Sequence, residues 1–241
     1  MKPLIVRPQP GADATAHRLR AAGHEPILMP LFAIEVLPMQ RRSAAGYDGL
    51  LLTSGNAARA AGEFLTNNPA TPIYAVGSAT ASALHALSLP VAKTGSEGVE
   101  ALVRVAAADG HQRLLWLAGE DYSPIPHIDD VSIDIDIIYR SAMVSTPDNF
   151  VHQITESDVV ILHSSRAARH FADLCDTMNL PRANVALATF SSAIAEAAGE
   201  NWAAMIIADV PNDAALLKAI QAQFTPTHCQ DERGTAIEEP I

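Results

Sequence analysis

The stretch Asp48-Gly-Leu-Leu-Leu-Thr-Ser54-Gly-Asn-Ala-Ala-Arg59 decides the fold, because it occurs twice. The second copy is Asp158-Val-Val-Ile-Leu-His-Ser164-Ser-Arg-Ala-Ala-Arg169, with every matched position shifted by 110. In each copy an aspartate precedes an apolar run of strand length, a hydroxyl residue follows the run, and an Ala-rich helical pattern comes next. Each copy is therefore predicted to be a strand followed by a helix. A unit that returns at a fixed shift indicates two domains of one architecture.

The segments around the two copies follow the same plan. Residues 73–77 form an apolar run that breaks at Gly77 and leads into a helical pattern over 79–87, and residues 187–193 are a weaker counterpart. Near the start of the chain, a short apolar run at 4–6 precedes a helical pattern over 12–22. Strands that alternate with helices of about ten residues predict mostly parallel sheets covered by helices on both faces.

Two stretches in which apolar and polar residues alternate, 33–38 and 134–144, flank the first copy. We expect them to carry the chain out of one domain and back, and to pair as a two-stranded β linker. One domain would then comprise residues 1–36 plus 144–226, and the other would be inserted as residues 37–143. Residues 227–241 lack periodicity and are predicted to be a disordered tail. The predicted fold class is α/β, with two similar domains, each a mostly parallel sheet flanked by helices.

The composition limits the possible partners. A chain of 241 residues, 49% of them hydrophobic, can form two cores of ordinary size. The formal net charge of -11 argues against a nucleic-acid surface. No apolar run approaches the roughly 20 residues that cross a bilayer, and the first residues resemble a strand more than a signal peptide. We expect a cytoplasmic protein, by default a monomer, in which Cys175 and Cys229 are free thiols.

Known sequence motifs for cofactor chemistry are missing. The chain has no phosphate-binding loop, no dinucleotide fingerprint, no paired-histidine zinc helix and no nucleophile elbow. The sequence therefore predicts neither a metal nor an organic cofactor. Nine histidines are scattered, and His163, at the end of a predicted strand, is interpreted as a structural or pocket-lining residue in preference to a general base.

Hydroxyl residues stand where several predicted strands end and the next helix begins. The first N–H groups of a helix are unpaired and carry roughly half a positive charge, so they can hold carboxylate or phosphate oxygens. For any single hydroxyl, capping its own helix is the simpler interpretation. Several of them at the carboxyl edges of parallel sheets would suit a ligand with many negative charges, held in a cleft between the domains. The residues are Thr53, Ser54, Ser78, Thr80, Ser164, Ser165, Ser191 and Ser192.

Four further side chains are candidates with two interpretations each. Arg7 follows the first strand, where its planar cation could bind a ligand carboxylate or form a salt bridge. Tyr139, on the returning linker strand, could donate its phenol proton or simply pack between the domains. Arg59 and Arg169 occupy equivalent repeat positions, where a solvated helix face is favoured over a binding role.

An ordered series of short motifs runs from the start of the chain to about Phe224. It comprises Val6-Arg7-Pro8, Pro30, Asp48 to Ala57, Ala75 to Ala81, Tyr139-Arg140, Asp158 to Ala167 and Asp209-Val210-Pro211. In this order the motifs resemble the uroporphyrinogen-III synthase family. The resemblance implies a lyase of tetrapyrrole and haem biosynthesis that closes linear hydroxymethylbilane to uroporphyrinogen III, with ring D inverted and without metal or organic cofactor.

The resemblance also implies a mechanism and a set of residues. Loss of the terminal hydroxyl of the substrate gives an azafulvene, which ring D attacks to form a spiro intermediate that reopens and recloses. Because this substrate is intrinsically reactive, the protein mainly has to fold it into the right approach. Tyr139 matches the residue that assists departure of the hydroxyl. The substrate-binding residues predicted are Arg7, Thr53, Ser54, Asn56, Gly77, Ser78, Thr80, Ser164, Ser165 and Ser192.

Three departures mark a divergent member and leave reduced activity open. Ala118-Gly119-Glu120 stands where the family usually has an arginine before glycine, Thr189 replaces an expected glycine, and segment 121–136 is shorter and more acidic than usual. The main alternative is a non-catalytic two-lobed binding or regulatory protein for a polycarboxylate or phosphate. An enzyme acting on a nucleotide or sugar phosphate is disfavoured because a glycine-rich loop is missing.

Overall fold

The computed structural model describes residues 1–95 and 98–224, and the contacts divide the chain into two compact units. Among the described residues, unit 1 comprises Met1–Met29 and residues 146–224, and unit 2 comprises residues 30–145. The chain thus passes between the units at positions 29/30 and 145/146, where the sequence had suggested 36/37 and 143/144. The tail 227–241, for which disorder was predicted, lies outside the described residues, as does Cys229.

Strands and helices alternate along both units. The strands are β1 Pro3–Ile5, β2 Ile27–Leu28, β3 Phe32–Val36, β4 Gly49–Leu52, β5 Ile73–Val76, β6 Lys93–Gly95, β7 Arg113–Gly119, β8 Ser132–Met143, β9 Val159–Leu162, β10 Ala186–Thr189 and β11 Ala204–Ile207. The helices are α1 Gly11–Ala21, α2 Gly55–Ala60, α3 Gly62–Asn67, α4 Gly77–Ala86, α5 Gly98–Ala108, α6 Phe150–Thr155, α7 Ser165–Thr177, α8 Ser192–Ala198 and α9 Asp213–Phe224. A 3₁₀ turn occupies Arg182–Asn184.

Unit 1 is built on a five-stranded sheet of order β11-β10-β9-β1-β2, in which every pair of neighbours is parallel. Central strand β9 is buried along its whole length, as is typical of a strand covered by helices on both faces. Helices α1 and α9 pack on one core of this unit, through residues that include Leu19, Leu216 and Ile220.

Unit 2 is built on a six-stranded sheet of order β3-β8-β7-β4-β5-β6. All neighbours are parallel except β3 and β8, which pair antiparallel from Phe32 opposite Met143 to Val36 opposite Tyr139. The predicted α/β class, the mostly parallel sheets and the pairing of the two alternating stretches are confirmed.

The repeated sequence is also a repeated structure. Ser54 and Ser164 each precede a helix with nearly the same backbone angles, φ -151° and ψ 150° against φ -152° and ψ 151°. Each serine oxygen accepts the backbone N–H three residues later, from Ala57 at 3.1 Å and from Ala167 at 3.2 Å. The helix-cap interpretation of these two serines is therefore confirmed, and it leaves their remaining hydrogen-bonding capacity open for other partners.

The aspartates that begin the two copies also play equivalent parts. Asp48 accepts the backbone N–H groups of Gln112 and Arg113 at 2.9 and 2.8 Å, which anchors the start of β7 beside β4. Asp158 accepts the backbone N–H of Lys2 at 2.6 Å, which anchors the start of β1 beside β9. Each aspartate therefore fixes the register of the strand next to its own, at the sheet edge opposite the hydroxyl residues.

Candidate active site

The carboxyl edge of the unit 2 sheet brings together the repeat serine and the predicted catalytic tyrosine. Ser54 follows β4, Tyr139 lies in β8, and their hydroxyl oxygens are 2.8 Å apart. Since Ser54 Oγ already accepts the N–H of Ala57, it can donate its own proton to the Tyr139 oxygen. The phenol proton of Tyr139 is then available to a ligand. Both side chains are half-buried.

Gly119, at the end of β7, makes room for the tyrosine. A Cβ added to Gly119 would lie 2.4 Å from Cζ and 2.7 Å from the hydroxyl oxygen of Tyr139, far inside van der Waals contact. The backbone N–H of Glu120 also donates to the carbonyl of Tyr139 at 2.9 Å. The sequence prediction did not assign Gly119 to the site. The signal was available, because a glycine that ends a buried strand often marks a close approach.

A cation lies on the same edge, one helical turn into α2. The Arg59 guanidinium donates to the side-chain oxygen of Asn56 at 2.6 Å and approaches the backbone at Gly55. Burial lowers the pKa of Arg59, and the neighbouring Tyr139 phenol acts in the opposite direction. Arg59 was expected on a solvated face, and it is indeed exposed. Its headgroup nevertheless adds a positive charge close to Asn56, Ser54 and Tyr139.

The remaining predicted residues of unit 2 differ in accessibility. Thr53 is half-buried and accepts the indole N–H of Trp116 at 3.3 Å. Gly77 begins α4 with φ +76°, a backbone conformation that favours glycine, and Ser78 next to it is exposed. Thr80 is only 3% exposed, so its side chain faces the protein interior.

The carboxyl edge of the unit 1 sheet holds the other predicted residues. Ser164 caps α7 after β9, and Ser165 donates to the carbonyl of Ala193 at 3.3 Å, which links the starts of α7 and α8. Ser192 is the first residue of α8 and is exposed. Strands β9, β10 and β1 are neighbours, so these serines share one edge with Arg7, which follows β1.

Arg7 is a half-buried cation with spare donors. Within residues 1–95 and 98–224, it donates one long hydrogen bond of 3.4 Å from Nη1 to Thr15 Oγ1. The guanidinium also packs on Gly11, where any Cβ would come within 2.5 Å of Nε. Burial lowers the pKa of Arg7, the charge of Asp213 raises it, and the charge of Arg18 lowers it. A guanidinium has five N–H donors, so Arg7 can bind an anion.

Other features of the described chain bear on the predictions for cofactors and compartment. No three His, Cys, Asp or Glu side chains in that part of the chain are grouped to hold a metal ion. None of the described helices has the length and apolar character that crossing a membrane requires. Cys175 is free and buried, as predicted, and burial raises the pKa of its thiol to about 12.

The chain is a two-unit α/β protein with a shared repeat, and each unit has hydroxyls and an arginine at the carboxyl edge of its sheet. The family model described as uroporphyrinogen-III synthase HemD matches residues 13–218. The chain belongs to the uroporphyrinogen-III synthase family. This finding confirms the predicted family and the lyase class, and it supports the tetrapyrrole cyclase function over the non-catalytic alternative.

Solved structures agree on the fold. A uroporphyrinogen-III synthetase from Helicobacter pylori has a TM-score of 0.62 and 15% identity, over 92% of this chain and 100% of that one. A mutant uroporphyrinogen III synthase from Thermus thermophilus has a TM-score of 0.51 and 16% identity, over 92% of this chain and 98% of that one. No curated protein sequence is similar enough to count as a match.

Proposed function

We propose that this chain closes hydroxymethylbilane to uroporphyrinogen III, with Tyr139 as the residue that helps the terminal hydroxyl to leave. The observation that carries the assignment is the 2.8 Å hydrogen bond between Ser54 Oγ and Tyr139 OH. A serine that donates to the phenol oxygen leaves the phenol proton pointing away from Ser54. That proton can be given to a substrate hydroxyl.

In the proposed first step, Tyr139 gives its phenol proton to the hydroxyl on the terminal carbon of the substrate. The C–O bond breaks as electrons move from the attached pyrrole nitrogen, and the hydroxyl leaves as water. The pyrrole then gives its N–H proton to the phenolate, which restores the Tyr139 phenol and leaves a neutral azafulvene.

The substrate carries eight carboxylates, and the two hydroxyl-bearing edges are proposed to bind them. Arg7 and Arg59 supply positive charge, while Ser78, Ser164 and Ser192 supply exposed hydroxyls beside helix N-termini. The predicted contacts also include Asn56, Ser165, Thr53 and Gly77. Thr80 stays a predicted contact, but because it is buried, it can act only after a local rearrangement or through its neighbours. These local groups oppose the overall formal charge of -11.

The departures from the family pattern are compatible with this chemistry. Ala118 stands before Gly119 where the family usually has an arginine, but Arg59 already places a cation near Tyr139. Thr189 is fully buried in β10, and its hydroxyl donates to the carbonyl of Ser191 at 3.2 Å. The threonine therefore takes part in shaping the turn before α8. We expect activity that is reduced but measurable.

The test is a coupled assay in which hydroxymethylbilane is generated in situ and the products are oxidised and separated as porphyrin isomers. Spontaneous closure gives the type I isomer, so appearance of type III reports enzymatic inversion of ring D. We expect type III in the presence of a chelator. Type I alone, at every enzyme concentration, would remove the proposed function.

We further infer that the protein acts in the cytoplasm as a monomer and binds no nucleic acid. The negative charge supports the last point. The first is compatible with the finding that no described helix is long and apolar enough to span a membrane. Light scattering coupled to size exclusion should give a mass near 25.5 kDa. A mass of twice that value would contradict the monomer.

A further inference from the structure

Five polar side chains form a connected cluster behind Arg7 in unit 1, which we call the Arg7 cluster. Its members are Arg7, Thr15, Arg18, His163 and Asp213. They come from the loop after β1, from α1, from the residue after β9 and from the first residue of α9. Three separate stretches of the chain, residues 7–18, the end of β9 and the start of α9, therefore meet at Asp213.

The hydrogen bonds within the cluster run from Arg7 through Thr15 to Asp213. Asp213 Oδ2 accepts from Thr15 Oγ1 at 3.2 Å and from Arg18 Nη1, and Thr15 in turn accepts from Arg7 at 3.4 Å. The other carboxylate oxygen, Oδ1, is buried and has no hydrogen-bond partner among the described residues. It lies 3.5 Å from Nε2 of His163. Arg7 is thus held through Thr15 and keeps most of its donors for another ligand.

His163 is the unusual member. Its side chain is 7% exposed, and neither ring nitrogen has a hydrogen-bond partner within the described chain. Its ring packs edge-on against Phe190 at 4.6 Å between centroids. Buried polar atoms without partners are rare, and each one requires an explanation. Nε2 lies at the limit of hydrogen-bond distance from Asp213 Oδ1, and protonation would turn this long contact into an ion pair.

Burial and the charge of Arg7 lower the pKa of His163 in the protein without a ligand. The groups that face it are Arg7 from the loop after β1, Asp213 from α9 and, behind Asp213, Arg18 from α1, while Phe190, which follows β10, is neutral. Burial is the largest cause, the contact with Asp213 acts in the opposite direction, and the charge of Arg7 lowers the pKa further. Cancelling the positive charge of Arg7 therefore favours a proton on His163.

We infer that His163 is a specificity-determining residue of the proposed site, which takes up a proton when a substrate carboxylate pairs with Arg7. The inference rests on the proposed role of Arg7. An anion on Arg7 cancels the charge that repels the proton, and the imidazolium then pairs with Asp213 Oδ1. Bound carboxylate and bound proton therefore favour each other, as linkage requires.

This coupling makes the site selective for charged carboxylates. A neutral ester or amide on Arg7 leaves the positive charge of Arg7 uncancelled, so His163 stays neutral and forms no ion pair with Asp213. A carboxylate removes both penalties. By the same linkage, binding should weaken as the pH rises through the range in which the bound form loses its proton.

The test uses uroporphyrin III, the stable oxidised form of the product, as the probe. Calorimetric titrations at one pH near neutrality, in phosphate and in Tris, give the number of protons taken up on binding. Wild-type protein should take up a fraction of a proton, at most about one. His163→Gln should bind the probe with that uptake abolished. His152→Gln, an exposed histidine on α6 of the same unit, is the matched control and should behave as wild type.

Two outcomes would overturn the inference. One is equal proton uptake by wild type and His163→Gln. The other is an imidazole pKa of His163, followed by NMR in the wild-type protein, that does not rise when uroporphyrin III is added. The NMR measurement uses only the wild-type protein, so it does not depend on whether the variant folds. Formation of the type III isomer without any proton uptake would refute the inference alone, whereas uptake without type III product would refute the proposed function alone.

Discussion

At the scale of single residues, Ser54 does two jobs with one hydroxyl. Its oxygen accepts the N–H that begins α2, and the same oxygen is 2.8 Å from the phenol of Tyr139. The start of α2 therefore fixes the position of the Ser54 hydroxyl, and Ser54 in turn fixes the position of the Tyr139 hydroxyl. A catalytic group supported in this way needs no flexible loop to reach its position.

Removing the phenol hydroxyl tests that arrangement. Tyr139→Phe keeps the ring that packs beside Gly119 but removes the proton donor, so kcat should fall by about 100-fold, the lower part of the range for general acids. KM should change little, because the carboxylate-binding groups are untouched. Steady-state isomer assays measure both constants. Tyr122→Phe, a partly exposed tyrosine, is the control, and unchanged kcat in Tyr139→Phe would show that its hydroxyl is structural.

The space left by Gly119 allows a second test. Gly119→Ala puts a methyl group within 2.4 Å of the Tyr139 ring, so the ring must move away from Ser54. We expect a loss of kcat approaching that of Tyr139→Phe, in a protein that still folds. In Gly62→Ala the new methyl meets nothing closer than 3.6 Å, so activity should be retained. Equal activities of the two variants would contradict the packing argument.

At the scale of secondary-structure elements, the two repeat helices begin alike but serve different neighbours. Ser54→Ala and Ser164→Ala should each cost about 1 kcal/mol in the free energy of unfolding of their unit, because each removes one cap. Urea denaturation measures this. Only Ser54→Ala should also reduce kcat, because only Ser54 is hydrogen-bonded to Tyr139. Serine-to-threonine variants, which keep a capping oxygen, are the controls, and an equal kcat loss in both alanine variants would contradict this division of roles.

The strands and most helices could be predicted because apolar runs, breakers and helical patterns agree locally. The helix predicted after the first copy instead divides into α2 and α3 at Ala61, just before Gly62, whose backbone freedom disfavours a continuous helix. Strand β8 begins at Ser132 and pairs with β7, which its acidic sequence did not suggest. Asp136 in this strand is fully buried because backbone N–H groups of Gln40 and Arg41 donate to it at 3.1 and 3.0 Å.

The site was partly readable from the sequence for a physical reason. The local direction of the chain decides at which edge of a parallel sheet a hydroxyl residue after an apolar strand lies. The sequence therefore predicts that Ser54 and Ser164 lie at the carboxyl edges of their sheets. The contacts of Gly119 with Tyr139 and of His163 with Asp213 join residues far apart in the chain. Such contacts depend on strand order and side-chain packing, which periodicity does not encode.

At the scale of the whole molecule, stability should fall in acid in two stages. The pKa of His163 is lowered by burial, so below the ordinary histidine pKa near 6.5 the unfolded chain binds a proton that the folded chain does not. Stability is therefore lost as the pH falls below about 6.5. Asp213 has a lowered pKa because its contacts with His163, Arg18 and Thr15 outweigh the opposing effect of burial, so its contribution is lost only when the pH falls below about 4.

Urea denaturation between pH 7 and pH 3 measures both stages. His163→Gln should flatten the upper stage and leave the lower one, and Asp213→Asn should weaken the lower one. His152→Gln is again the matched control. A wild-type curve that is level from pH 7 to pH 5 would contradict the assignment of a buried neutral imidazole.

The ladder of β3 and β8 has a consequence for how such a chain arose. Phe32 stands opposite Met143, so the entrance and the exit of the inserted unit are neighbours, with α-carbons about 5 Å apart as in any antiparallel pair. A domain whose two ends lie close together can be inserted into a surface turn without moving the residues on either side of that turn apart. Duplication of an ancestral half, followed by insertion of one copy into the other, is a history that this geometry allows.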